Sequence, residues 1–260
     1  MLEVWLLGKF EVKLEGKPVE ITSRPAQSLL AYLILNAPKS YRREKLAGLL
    51  WPNSDDTNAR NNLRQALWRL RQELGEEYFL TDRSSVGFNP QSDYRLDADL
   101  LQNGLDEVTP VEIIIQAVAA YDGQLLPGFY DEWVMLEQER LQAIYEDRMQ
   151  LLLARLVEES RWRETREWAE RWIAQGQVPE PAYRALMMAA AGLGDQAGVA
   201  AVFQRCAEAL AEEVGVEPSP ATLDLFEKLT SGEALAQPKL VPVLGDVVRT
   251  ARSLGISFGD

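Results

Sequence analysis

The chain has 260 residues, 47% of them apolar, and a formal net charge of -13, which is enough sequence and apolar content for one large or two ordinary cores. It contains no histidine and one cysteine, Cys206. That excludes histidine-bearing zinc sites, Ser-His-Asp triads, histidine general bases and an internal disulfide, and it fits a reducing cytoplasm.

No run approaches the roughly 18 consecutive apolar residues of a membrane helix, and the N-terminal stretch, which carries Glu3, is too short for a secretion signal. Neither a membrane partner, an enzyme activity, a cofactor nor a metal is expected. The charge is unevenly spread: residues 1–96 hold 14 Lys and Arg against 12 Asp and Glu, and residues 97–260 hold 13 against 28. A near-neutral part joined to a strongly acidic one predicts two modules with different partners.

Residues 2–7 and 9–14 read as short strands. In the second, Phe10, Val12 and Leu14 alternate with Glu11, Lys13 and Glu15, the period of a half-buried sheet. Gly16-Lys17-Pro18 marks a turn, and residues 19–21 a third strand. Thr22 or Ser23 can cap the next helix, with Pro25 tolerated in its first turn and Leu29, Leu30, Leu33 and Ile34 facing inward. Asn36-Ala37-Pro38 stops it. A second helix over 42–50 turns Leu46, Leu49 and Leu50 to the core and ends at Trp51-Pro52.

Ser54, Asp55 and Asp56 are good helix-start residues, and they lead into a third helix over 58–74 that Gly75 terminates. In it Leu63, Leu67, Leu70 and Leu74 recur at the spacing of one helical face. The outer side carries Arg60, Asn61, Arg64, Gln65, Trp68, Arg69 and Arg71, and no acid lies between Asn58 and Gln72. Arg, Asn and Gln have the forked donors and acceptors that match phosphates and base edges. Residues 78–80 and 86–88 then flank a hairpin with Arg83 near its tip. Strands, three helices with the last one basic, then a hairpin is the order of a winged helix-turn-helix. The third helix is its reader and the hairpin its wing.

From residue 97 the chain reads as helix after helix: 111–121, 130–161 long or broken, 164–175, 181–193, 196–214 and 221–230. A shift of 34 residues sets Leu152 on Leu186, Val157 on Ala191, Ala169 on Phe203, Arg171 on Arg205 and Trp172 on Cys206. Thirty-four is the period of tetratricopeptide helix pairs. Gly192, Gly194 and Gly198 follow a helix rather than a strand, so they predict an inter-helix turn and not a phosphate loop. Asp93, Asp97 and Asp99 fall short of a calcium loop and read as a solvated linker. Trp162, Trp168, Trp172 and Cys206 are expected as repeat packing.

The fold class expected is therefore mainly α. A winged helix-turn-helix with small antiparallel sheets (1–96) precedes an all-α tetratricopeptide-like domain (97–231), and residues 232–260 form a linker or tail.

With both halves read, the chain resembles the antibiotic-regulatory-protein type of bacterial transcriptional activator. In that family a winged helix of the response-regulator (OmpR) type precedes a helical-repeat bacterial transcriptional activation domain. The resemblance rests on LLGKFEV near the start, LLWPNSDDTNARNNLRQALWRLRQELG, the wing strand VGFNP, YDGQLLPGFYDEWV followed by Glu139-Arg140-Leu141, and the run from Arg205 through EEVGVEPSP. It implies binding to double-stranded DNA at promoter repeats, recruitment of RNA polymerase and self-association on DNA. Some relatives continue into an ATPase domain, but no Gly-x-x-x-x-Gly-Lys-Ser/Thr loop occurs in this chain.

The DNA-contacting set is then Arg60, Asn61, Arg64, Gln65 and Trp68 in the major groove, Arg69 and Arg71 toward its flanks, and Arg83 on the wing, with Asp55 and Asp56 turned to cap the helix. The competing reading is a tetratricopeptide-type interaction scaffold whose winged helix binds no DNA. The acid-free face of the third helix separates the two, because a scaffold has no need of it.

Overall fold

The computed structural model describes residues 1–106 and 108–231. The linker or tail expected over 232–260 lies outside them. By contact the chain divides into two compact units. One holds Met1–Leu105 with Ile115–Arg148, and the other begins with Asp106–Ile114 and resumes at Met149.

In the first unit, β1 (Leu2–Trp5), β2 (Glu11–Leu14) and β3 (Lys17–Pro18) form an antiparallel meander. The third strand pairs slightly earlier than residues 19–21, although the Val19 N–H still donates to the Val12 carbonyl at 2.9 Å. Helix α1 (Arg24–Leu35) starts at Ser23, with Pro25 in its first turn, and buries Leu29, Leu30, Leu33 and Ile34. Strand β4 (Ser40–Arg42) follows, then α2 (Arg43–Leu50), which buries Leu46, Ala47 and Leu50. Helix α3 (Asp56–Leu74) lies against α1 and α2.

The hairpin of β5 (Phe79–Thr81) and β6 (Ser85–Phe88) takes β4 as its third strand, in the order β4-β6-β5. β4 is absent from the sequence reading because three residues are too few to show an alternation. Phe88 anchors the hairpin, with its ring centroid 4.8 Å from Tyr94 and 6.2 Å from Phe79. Tyr94 lies on β7 (Tyr94–Leu96), which pairs parallel with β1 and so adds a parallel strand to sheets expected to be antiparallel.

The linker reading of Asp97 is overturned. Asp97 opens α4 (Asp97–Gln102) and is 7% exposed. Its Oδ2 accepts the backbone N–H groups of Leu6 and Leu7 at 2.9 and 2.8 Å, and Oδ1 accepts that of Ala98. The carboxylate thus satisfies two amides at the end of β1 that no strand pairs. Burial pushes its pKa up to about 6, and the backbone donors oppose that shift. Among the described residues no cluster of acids and cysteine could hold a metal ion.

The same unit takes in the segment 115–148, which begins inside α5 (Val111–Ala119) and includes the first part of α6 (Glu132–Glu158). Leu6 and Gly8 exchange backbone hydrogen bonds with Leu126 and Gln124. A Cβ on Gly8 would stand 2.6 Å from the Asp122 carbonyl, and its φ of +79° also favours glycine. Trp133 meets Tyr32 edge-on at 5.2 Å, and Arg24 lies over Phe129 at 4.4 Å.

In the second unit, α7 (Trp162–Ile173), α8 (Glu180–Gly192), α9 (Gln196–Ala209) and α10 (Pro220–Ser231) pack in succession. The helix expected over 130–161 is the single, unbroken α6, and a π turn over Leu210–Val214 follows α9. The glycine-bearing stretch 192–198 is an inter-helix turn, in which Asp195 caps α9 by accepting the Gly198 N–H at 2.8 Å. The 34-residue register survives in the packing. Leu152 and Leu186 are buried, as are Ala169, Trp172 and Cys206, while Phe203 stacks on Phe226 at 4.0 Å. Trp162 and Trp168 are half-buried, the former against Gly192 and the latter under the Arg171 guanidinium. Among the described residues no helix is long and apolar enough to cross a membrane.

Candidate nucleic-acid interface

Helix α3 is held by its two ends and one stripe. At its start the Asp55 Oδ1 accepts the N–H groups of Thr57 and Asn58 at 3.1 and 3.0 Å, and Oδ2 accepts the Asn58 amide at 2.6 Å. These bonds, the backbone N–H of Asn58 first, hold the Asp55 carboxyl below its ordinary range. An aspartate so engaged supplies a cap and faces the positive end of the helix dipole. Asp56, expected to share this role, is the exposed first residue of the helix, and the cap bonds are those of Asp55. At the far end Gly75, at φ +111°, closes the helix by donating to the Arg71 carbonyl at 3.0 Å. Between the ends Ala59, Leu63, Ala66, Leu67, Leu70 and Leu74 are buried.

That stripe leaves the opposite side to solvent. Arg60, Arg64, Gln65, Trp68 and Arg69 are exposed and Asn61 is half-buried. A guanidinium N–H of Arg64 donates to the Asn61 Oδ1, one turn back. Among the described residues no carboxylate pairs with Arg60, Arg64, Arg69, Arg71 or Arg83. Arg71 differs from the others. It is half-buried and donates to the Thr81 Oγ1, which ties the helix to strand β5 of the hairpin.

Arg83 stands exposed in the hairpin turn, which Asp82 builds by accepting the N–H groups of Ser84 and Ser85 at 2.6 Å each. With the Ser85 hydroxyl also donating, the Asp82 carboxyl is held well below the usual carboxylate range. Asp82 thus stays ionised while its lone pairs hold the turn. From the other side Arg43 donates to the Asp82 carbonyl at 3.1 and 3.3 Å.

Of the eight residues singled out from the sequence, Arg60, Asn61, Arg64, Gln65, Trp68 and Arg69 therefore lie on the solvent side of α3, Arg83 is exposed in the hairpin turn, and Arg71 ties the helix to β5. Sequence reasoning missed Lys39 and Arg42, which are exposed on and beside β4, the third strand of the hairpin sheet. A strand pairing with the hairpin is a long-range feature, and only their charge could have drawn notice. An α-helix is about 10–12 Å across and a B-DNA major groove about 12 Å wide, so an exposed cationic helix face of this kind has the dimensions to enter one.

Comparison with known proteins agrees with this architecture. The family model of the bacterial transcriptional activator domain matches residues 96–230. The chain is 27% identical over 239 residues to the regulatory protein AfsR of Streptomyces griseus, covering 86% of this chain and 24% of that protein. Its likeness to the AfsR of Streptomyces coelicolor is 24% over 250 residues, 91% of this chain and 25% of the relative. The chain thus spans about a quarter of the length of these curated relatives. The solved structure of Mycobacterium tuberculosis EmbR, in complex with a low-affinity phosphopeptide, superposes with a TM-score of 0.72 at 17% identity over 91% of this chain and 66% of that one. At that identity the likeness speaks for the fold alone. By its family match the chain belongs to the bacterial transcriptional activator domain family, and here that domain follows a winged-helix fold.

Proposed function

We propose that this protein is a sequence-specific DNA-binding activator that reads promoter repeats with α3. Arg60, Asn61, Arg64, Gln65 and Trp68 enter the major groove, Arg69 lies at its flank, and Arg83 of the hairpin meets phosphate or the minor groove. Arg71 holds helix and hairpin in register. The observation that carries this reading is the unpaired charge on α3: four arginines in a chain of net charge -13, with no acid from Asn58 to Gln72. Unpaired guanidinium groups on one helix face are matched by a polyanion, and phosphate contacts supply most of the affinity in protein–DNA complexes.

In this proposal residues 1–96 carry DNA reading, while the helical pairs of 97–231 serve activation by contacting RNA polymerase and by self-association on DNA. The setting is the cytoplasm. The phosphopeptide belongs to the EmbR complex and is not carried over to this chain.

Selection of duplexes from a random-sequence pool by the full chain, followed by gel shifts, tests the proposal. Enrichment of a recurring element, bound far more tightly than scrambled duplex, is the expected result. Failure to enrich any element would favour a protein-interaction scaffold.

A further inference from the structure

One side chain on the α3 surface does not fit a description in charges and forked amides. Trp68 is 61% exposed, whereas Leu67 beside it is 3% exposed. Its neighbours on the helix surface are Arg64 and Gln65 one turn before and Arg71 and Gln72 one turn after, all exposed but the half-buried Arg71. The largest apolar surface on the helix is therefore framed by the groups best suited to phosphates and base edges.

An indole offers one N–H donor and no acceptor, so it cannot make the bidentate contacts open to Arg, Asn and Gln. What it offers is a flat apolar surface. The major groove presents one apolar group, the C5-methyl of thymine, and methyl contact is the way apolar side chains read sequence there.

We infer that Trp68 is a specificity-determining residue that packs its indole on a thymine methyl, so that the bound element has a required T·A pair opposite the middle of α3. The inference rests on the proposed DNA-reading role of α3. It commits the outward face of the helix to one occupant, a duplex whose phosphates answer the surrounding arginines and whose methyl answers the ring. The charged neighbours set affinity in this account, and Trp68 sets which base pair is tolerated at one position.

The test removes the methyl without touching the protein. In the duplex selected by the full chain, each thymidine is replaced in turn by deoxyuridine, and affinity is measured for wild type, Trp68→Ala and Trp68→Phe, with folding checked by circular dichroism. Losing a buried methyl costs roughly the free energy of one CH₂ group, so wild type is expected to bind about fourfold more weakly at one or two positions. Trp68→Ala should bind thymidine and deoxyuridine duplexes alike at those positions, and Trp68→Phe should keep much of the difference. A wild-type protein that binds the selected duplex but ignores every replacement would overturn the inference while leaving the DNA-reading role intact. So would a Trp68→Ala protein as sensitive to the replacement as wild type, since another residue would then read the methyl. If the full chain selects and binds no duplex, both readings fall together.

Discussion

The second unit and helix α3 treat several of their arginines in opposite ways. In the helical pairs of the second unit, Arg161, Arg163 and Arg205 are neutralised from within. Arg161 holds Glu164 at 2.7 Å and Glu112 at 3.0 Å, Arg205 holds Glu170 through two hydrogen bonds at 2.7 and 2.9 Å, and Arg163 lies 3.4 Å from Glu167. On α3 no acid lies from Asn58 to Gln72, and among the described residues none of its arginines forms such a pair. The acids at its two ends, Asp56 and Glu73, form no ion pair among the described residues, while Asp55 caps the helix and Asp82 builds the hairpin turn. Exposed ion pairs contribute little stability, about 0–1 kcal/mol each. The contrast therefore says little about how firmly either region folds. It says which arginines are already paired within the chain, and those of α3 are not among them.

The largest expected effect breaks the second region while leaving α3 alone. Trp172, 4% exposed on α7, fills the repeat position that Cys206 fills on α9. Trp172→Ala should cost about 3–5 kcal/mol through the cavity it leaves, seen as a lower thermal midpoint. DNA affinity measured well below that midpoint should stay at the wild-type level if the two regions have separate tasks. An unchanged midpoint would mean the ring is not packed as the repeat register requires.

A smaller effect is expected at the one buried acid of the first unit. Asp97→Ala strips two buried backbone N–H groups, those of Leu6 and Leu7, of their acceptor and should destabilise by about 2–4 kcal/mol. Asp97→Asn keeps one acceptor oxygen and should cost less. Equal stability of all three proteins in urea titration would show that the carboxylate is not the partner of those amides.

The fate of Asp97 also marks what the sequence could and could not reveal. Helices α1 and α3 were legible because their apolar residues repeat with a helical period and their ends carry Pro25, Asp55 or Gly75, and α7, α8 and α9 through the 34-residue register and the turn at Gly192, Gly194 and Gly198. The outward face of α3 was legible for the same reason: once Leu63, Leu67, Leu70 and Leu74 face inward, the positions of Arg64, Gln65 and Trp68 follow. Long-range pairings were not legible. Strand β4 exists because β6 is beside it, and β7 because β1 is, and neither shows an alternation of its own. Asp97 reads as linker until the ends of β1 and α4 come together around it.

The packing of residues 115–148 with the winged helix was hidden for a related reason. Composition marks where charge changes along the chain, near residue 97, and carries no record of Trp133 resting on Tyr32 or Leu126 bonding to Leu6. Arg71 belongs to the same class of surprise. Its place on the helix predicts a cation at the margin, and its bond to Thr81 depends on where the hairpin folds back.

The most direct measurement is the salt dependence of affinity for the selected duplex, compared between cations left free and a cation already paired. Each phosphate contact contributes about -0.9 to the slope of log affinity against log salt. The full chain, Arg60→Ala, Arg64→Ala and Arg205→Ala would be titrated across a salt series, with circular dichroism confirming that each is folded. Each of the two α3 variants is predicted either to flatten the slope by about one contact or to relax the preference at one base pair by about 1–3 kcal/mol. Arg205→Ala, whose guanidinium already holds Glu170, should follow wild type at every salt. If both α3 variants bind like wild type throughout, α3 does not read DNA and its unpaired arginines serve some other anion.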